Sequence, residues 1–256
     1  MIGTVFMALL YRDIRVARKE LPFFLVRTTL QPILFTFVFG YLMPKMGFMQ
    51  KGYGAALLPG VLGVSLAMSS VQAVALPMVA DFGWTREIED RLLAPVPIWL
   101  VAIEKVIAGS IQGLIAAMFV LPIARLIMGP INLLSTDHIL AVIAVALLGS
   151  ITFSSLGLVL GTGISPQQIG LMFSVIVMPM IFFGCAYYPW RGLDVVPVMK
   201  YAVLINPLVY VSEGLRGTLT PQLPHMSLGM VCGALTLLTV VLLTTGMRTF
   251  RKRAIG

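Results

Sequence analysis

Long uncharged stretches separated by short charged segments dominate the chain. No residue is charged between Arg27 and Lys45, within 52–80 or within 139–190. A helix needs about 20 apolar residues to cross a membrane, so the last stretch is too long for one crossing, and its polar segment 161–168 divides it. The pattern predicts six spans, at residues 22–43, 52–80, 99–126, 139–160, 167–187 and 226–247.

The composition supports the same class. Apolar residues make up 59% of the chain and charged residues 11%, against about 25% in soluble domains. The 28 charged residues are too few to cover a soluble fold of this size, and disorder requires low hydrophobicity. A β-barrel would show alternating polarity rather than continuous apolar runs. We therefore predict an all-α, polytopic membrane protein formed by a single domain, residues 1–256.

The basic residues lie at the edges of the predicted spans, so the net charge of +8 reports topology and not nucleic-acid binding. Twelve basic residues fall on the side of the termini and six on the other side. The twelve are Arg12, Arg15, Arg18, Lys19, Arg27, Arg86, Arg91, Lys105, Arg248, Arg251, Lys252 and Arg253. The positive-inside rule predicts a multi-pass protein of the cytoplasmic (inner) membrane with both termini in the cytoplasm.

Residues 1–21 have a different pattern, which predicts an amphipathic helix lying on the inner leaflet. Four apolar residues form a stripe on one side of the helical wheel, and four basic residues lie away from it. The stripe is Leu10, Ile14, Ala17 and Leu21, and the basic residues are Arg12, Arg15, Arg18 and Lys19. Pro22 favours a break before the first span. The alternative is a simple cytoplasmic extension of that span.

The loop between the second and third spans carries six charges within residues 81–91. Trp84, Ile88 and Leu92 share one helical face, and Glu87 and Arg91 form an i, i+4 pair in the favourable orientation. The pattern predicts a short amphipathic helix over 84–94, suited to docking in a groove of a cytoplasmic protein. An ordinary solvated loop helix is the alternative.

The segment before the last span is too apolar for a free loop and too interrupted for a full crossing. A re-entrant pair of short helices over 189–217 is the natural interpretation, and it requires burial against protein. Glu213 and Arg216 are three residues apart, so we expect them to pair. At the inner edge we expect Lys105 to pair with Glu104 or to snorkel, and Arg27 to snorkel inward.

Several kinds of chemistry find no support in the sequence. There is no GxxxxGK[ST] phosphate loop, so the chain does not bind ATP in the usual way. The two cysteines and two histidines form no metal-binding motif. No catalytic set is recognisable, and we predict neither an enzyme nor a cofactor on this chain.

Three groups of residues together resemble the permease subunit of bacterial type-2 ABC exporters, the ABC-2 transporter family. Residues 10–15 are similar to that family's interfacial helix, and 85–96 with Lys105 to its coupling-helix region. Residues 179–184, 188–189, 206–208 and 213–216 are similar to its C-terminal signature. The usual Gly-Thr-x-Glu is interrupted here, because Trp84 separates Gly83 from Thr85.

The resemblance assigns two sets of site residues. ATPase coupling would involve Trp84, Arg86, Glu87, Ile88, Glu89, Asp90 and Arg91. The outer re-entrant segment would use Tyr188, Pro189, Asn206, Pro207, Glu213 and Arg216.

The resemblance also implies the partners: two copies of an ATP-binding subunit that carries MgATP, and a second permease copy. Spans one, two and five would line the dimer interface and the pathway. The cargo would be amphipathic, namely a drug, a lipid or a lipid-linked glycan, moved among membrane lipids. An ion-gradient-driven secondary transporter is the alternative, but the sequence shows no internal repeat and no mid-span carboxylate.

Overall fold

The computed structural model describes residues 2–49, 53–83, 97–128 and 139–255. These ranges consist of helices, turns and short connections, and they contain no strand. The predicted all-α, polytopic class is confirmed.

Five helices are long and apolar enough to cross a membrane among the described residues, with 25–31 residues in each apolar segment. They occupy the places of the predicted first, second, third, fourth and sixth spans. In chain order the helices are α1 (Ile2–Phe35), α2 (Tyr53–Gly83), α3 (Ile98–Met128), α4 (Ile139–Gly163), α5 (Pro166–Phe182), α6 (Pro197–Ala202), α7 (Pro207–Leu219) and α8 (Leu228–Ile255).

The predicted break at Pro22 is wrong, because α1 runs through Pro22 and Pro32 without interruption. A proline removes one backbone N–H and disfavours a helix just before it, but here the turns on both sides hold the helix together. An ion pair from Asp13 to Lys105 of α3 also holds this half of α1 to the bundle. From Ile2 onward, the predicted interfacial segment is the first part of α1.

Wider π-helical stretches precede two prolines in the helices. Thr36–Leu42 continues α1 and comes just before Pro44, and Met172–Val177 lies in α5 just before Pro179. A proline ring collides with the carbonyl group four residues earlier in an α-helix. The wider winding shifts the hydrogen-bond register, so the helix continues past the proline, in α1 as far as Lys45.

α5 is shorter than the predicted fifth span at 167–187, because it ends at Phe182. At 1.5 Å per residue it is about 25 Å long, less than the ~30 Å of a hydrocarbon core. The chain turns immediately afterwards. A Cβ on Gly184 would lie 2.4 Å from a methyl carbon of Leu208, and Cys185 adopts a left-handed φ of 51°.

α2 is the central helix of the subunit, surrounded by α3, α4 and α7. Its most apolar stretch is 89% buried, compared with 22% for the apolar part of α1. Close backbone approach explains this packing: a Cβ on Gly60 would lie 1.7 Å from the carbonyl oxygen of Ala186. The second span is therefore the core of the described part of the chain, and its place at a dimer interface stays a prediction.

Short helices occupy the segment before the last span. A 3₁₀ turn at Trp190–Val195 leads into α6, and another at Val203–Ile205 leads into α7. Every residue of α7 is buried. The interrupted pair of short helices predicted for 189–217 is present, with its second member packed against protein as its backbone requires.

Candidate functional site

Buried polar contacts gather at the two ends of the bundle. α1 begins and α8 ends at one end of the bundle, which we call the terminal end. It contains Asp13 of α1, Gly83 at the end of α2 and Arg253 near the end of α8. The opposite, distal end contains Tyr53 at the start of α2 and Glu213 of α7. Both ends include residues that the sequence singled out.

At the distal end, Glu213 and Arg216 form the predicted ion pair, and both side chains are fully buried. Glu213 Oε1 also accepts a hydrogen bond from the backbone N–H of Trp190 at 2.8 Å. Its Oε2 accepts from the backbone N–H of Met226 at 2.9 Å. The carboxylate is thus held by one guanidinium and two backbone donors, which compensates its loss of hydration.

Arg216 extends these contacts to two further elements. Its Nη2 donates to the carbonyl oxygen of Cys185 at 3.0 Å and approaches that of Ala56 at 3.5 Å. The left-handed backbone at Cys185 accompanies the turn that presents this carbonyl group. One buried guanidinium therefore connects α7 to the start of α2 and to the turn after α5.

The other predicted residues of this segment shape the short helices. Asn206 caps α7 by accepting from Leu208 N at 2.9 Å, and its Nδ2 donates to Met180 O at 2.7 Å. Pro207 occupies the first turn of α7, where its missing N–H costs nothing. Pro189 precedes the 3₁₀ turn at Trp190.

Tyr188, also predicted for this site, braces the turn after α5. Its hydroxyl donates to the carbonyl oxygen of Phe182 at 3.1 Å. Burial, with a smaller contribution from Cys185, raises the pKa of the Tyr188 phenol. The phenol therefore stays protonated and can keep donating at neutral and moderately alkaline pH.

At the terminal end, Lys105 forms an ion pair with Asp13, 92 residues earlier in the chain. Lys105 is 5% exposed, so the expectation that it snorkels is wrong. We had expected Glu104 as its ion-pair partner, and the structure shows Asp13 in that role. A buried ammonium requires a charge partner, and the N-terminal half of α1 provides it. The contact attaches α1 to α3.

Two arginines make further contacts between helices. Arg27 donates through Nε and Nη2 to Oε1 of Gln72 in α2, at 3.1 and 2.9 Å, instead of snorkelling. Arg253 Nη1 lies within 3.0–3.3 Å of the carbonyl oxygens of three residues at and just after the end of α4. Its guanidinium also stacks over the ring of Phe82, 4.9 Å from the centroid.

The comparison with known families fits this architecture. The sequence model of ABC-2 type transporters matches residues 4–220, well over half of the chain. The chain belongs to the ABC-2 type transporter family. The comparison with curated protein sequences found no match to this chain.

This family consists of membrane subunits of transporters, which generally lack an ATP site of their own and work with an ATP-binding partner. The hydrogen-bonding groups of Glu213 are taken up within the chain, so the distal cluster is a brace between helices. Among the described residues, no group of His, Cys, Asp and Glu side chains could hold a metal ion.

The predicted coupling residues of this ABC-2 subunit lie outside the described residues. They are Trp84, Arg86, Glu87, Ile88, Glu89, Asp90 and Arg91. The structure does place the helix ends that flank them, Gly83 of α2 and Ile98 of α3. A Cβ on Gly83 would lie 2.2 Å from the ring of Pro166, so α2 ends directly against the start of α5.

The four basic residues predicted for the membrane surface are exposed along α1. They are Arg12, Arg15, Arg18 and Lys19. Arg15 donates to the hydroxyl of Tyr11 at 3.0 Å. Arg12 lies 3.9 Å from a carboxylate oxygen of Asp13.

Sequence reasoning did not identify Asp13, Gln72, Trp190 or the contacts of Arg253 in this ABC-2 subunit. Gln72 carried a usable signal, since a polar amide inside an apolar span normally has a partner. The backbone N–H of Trp190 gives no signal in the sequence. Arg253 belonged to a basic cluster that we interpreted only as a topology anchor.

Proposed function

We propose that the chain is the permease subunit of an ATP-driven exporter in the cytoplasmic membrane. Two copies of a separate ATP-binding subunit, which carry MgATP, would power two permease copies. The cargo would be amphipathic or lipid-like: a drug, a lipid or a lipid-linked glycan.

The proposal rests on one observation: the two helices that flank segment 84–96 are both attached to other helices of the bundle. α2 ends against α5 at Gly83, and Phe82 is held by Arg253 of α8. α3 begins at Ile98 and is attached to α1 through Lys105. A force applied to this segment by an ATPase would therefore reach α1, α2, α3, α5 and α8 together.

α2 provides a path from that segment to the distal end. The helix is continuous from Tyr53 to Gly83, and its neighbours enclose it along most of its length. At its distal end, the carbonyl oxygen of Ala56 faces Arg216. Since a packed helix moves as a rigid element, displacement at Gly83 would bear on the distal brace.

The exposed sides of α1 and α5 suit apolar neighbours. Leu30, Leu34 and Phe37 are exposed on the first span, and Val175 and Phe182 on α5. Surfaces of this kind support contact with lipid or with a second permease copy, and movement of a lipid-like cargo. Small ions would instead need rings of polar ligands.

Charge reversal at Glu87 and Arg91 should weaken coupling to the ATPase. The E87K/R91E variant keeps opposite charges at i, i+4, as the predicted helix requires, while a partner would meet inverted charges. We expect roughly a tenfold or larger loss of permease-stimulated ATP hydrolysis and of transport in proteoliposomes, because a mispaired interfacial charge costs about 2 kcal/mol or more.

The matched control is D194K/K200E, which reverses an ion pair of 2.5 Å at the distal end. It should leave ATP hydrolysis unchanged. Normal coupling in E87K/R91E would contradict the docking role. Uphill transport by the permease alone on a proton or sodium gradient would instead support a secondary transporter.

We also propose that both termini are cytoplasmic. The C-terminal side of α8 carries Arg248, Arg251, Lys252 and Arg253, as the positive-inside rule expects of a cytoplasmic edge. A green fluorescent protein fused at the C-terminus should fluoresce, and alkaline phosphatase fused there should be inactive. An active phosphatase fusion would overturn this orientation.

A further inference from the structure

A cleft opens at the terminal end, between the start of α3 and the end of α8. Its volume is about 430 Å³. The residues that matter here are Trp99 of α3 and Met247, Arg248, Phe250, Arg251 and Ile255 of α8. Apolar and cationic groups therefore meet in one groove.

The floor and walls of the cleft are apolar. Phe250 is fully buried and packs edge-to-face on Phe82, with ring centroids 5.7 Å apart. Trp99 and Ile255 are 52% and 65% exposed. A half-exposed tryptophan at the end of a span is typical of the membrane–water interface. The groove thus offers an acyl chain an apolar surface at headgroup depth.

The rim of the cleft is cationic. Arg248 and Arg251 are three residues apart, so their side chains lie on the same face of α8. Both are exposed, and in the part of the chain that the structure describes neither has an ion-pair or hydrogen-bond partner. Arg253 differs, because it is already bonded to carbonyl groups at the end of α4. Two free guanidinium groups side by side suit the oxygens of a phosphate.

We propose that this cleft binds one anionic glycerophospholipid as a resident ligand of the subunit. The phosphate would lie on Arg248 and Arg251, and an acyl chain along Trp99 and Met247. Such a lipid would fill the groove between α3 and α8. The site lies largely on α8, beyond residues 4–220 of the family match, and it does not depend on the proposed transport.

The test uses the full chain in detergent, titrated with dioleoyl phosphatidylglycerol or dioleoyl phosphatidylcholine and observed by native mass spectrometry. We expect one phosphatidylglycerol to be retained in preference to phosphatidylcholine. In R248Q/R251Q that preference should fall roughly tenfold or more, because each cationic side chain near an anionic lipid contributes a factor of about five.

The control variant K45Q/K252Q also removes two positive charges from exposed positions, both outside the cleft. Its preference for phosphatidylglycerol should fall less than about threefold. An equal loss in both variants would overturn the site in favour of diffuse attraction. The site would also be overturned if the unmodified chain showed no preference for phosphatidylglycerol over phosphatidylcholine. That result is expected if an acidic segment of the chain, instead of a lipid, occupies the cleft.

The position of the lipid can be checked with Trp99 itself. In a W84F/W190F background, phosphatidylglycerol with brominated acyl chains should quench the fluorescence of Trp99 more strongly than brominated phosphatidylcholine does. Adding R248Q/R251Q should abolish the difference. Equal quenching by the two lipids in the W84F/W190F protein would contradict the proposal.

Discussion

Replacing Arg216 by methionine should lower the apparent Tm of the detergent-solubilised chain by about 10 °C. The change removes the charge partner of a fully buried carboxylate, and breaking a buried pair from one side costs about 3–5 kcal/mol. For a chain of this size, each kcal/mol shifts Tm by about 2–4 °C. Intrinsic fluorescence during a thermal ramp, with light scattering to detect aggregation, measures the shift.

The double variant E213Q/R216M should recover much of that loss. The introduced glutamine side chain would carry no charge, and its carbonyl oxygen could still accept from Trp190 N or Met226 N. D194N is the matched control, because it weakens an exposed ion pair at the same end, and such pairs contribute about 0–1 kcal/mol. If R216M shifted Tm no more than D194N, the distal brace would not stabilise the fold.

Replacing Gly60 by alanine should destabilise the subunit by about 3 kcal/mol or more. The new Cβ would lie 1.7 Å from the carbonyl oxygen of Ala186, and a backbone atom cannot rotate away as a side chain can. α2 would have to move away from the turn after α5. We expect the free-energy cost of that movement to exceed the usual cost of overpacking, which is about 1–3 kcal/mol. The same thermal ramp should show a clear loss of Tm and a lower yield of monodisperse protein.

Alanine substitutions at two other glycines are the controls for this prediction. Gly63→Ala should have a small effect, since its nearest contact would be the Ser212 hydroxyl at 3.3 Å. Gly233→Ala should be neutral or slightly stabilising, because nothing lies within 4 Å and alanine is the better helix former by up to about 1 kcal/mol. Equal shifts for Gly60 and Gly233 would contradict the close approach of α2 to the turn.

The sequence could predict the spans because charge is costly in hydrocarbon and therefore marks their ends. It could not predict which spans form the core. α2 and α4 both contain long apolar stretches, yet the most apolar stretch of α2 is 89% buried and that of α4 is 39% buried. Lipid and protein neighbours both accept apolar side chains. Small residues do not separate the two helices either, since each contains four glycines and three serines.

The distal pair and the terminal pair show why some contacts could be predicted and others could not. Glu213 and Arg216 are three residues apart on one helix, and local spacing was enough to pair them. Lys105 and Asp13 are 92 residues apart, and only the packing of α1 on α3 brings them together. The prediction of a helix break at Pro22 was wrong for a similar reason, since the packing of α1 on α3 outweighed the local preference of proline.

The contacts of Arg216 also bear on how the subunit is synthesised. Its acceptors at Ala56, Cys185 and Glu213 all precede it in the chain. The guanidinium can therefore find its partners as soon as it leaves the ribosome, provided that the earlier helices have already inserted. One donor to Glu213, the N–H of Met226, is made only afterwards. The order of translation thus allows the positive charge to be neutralised before the last helix enters the bilayer.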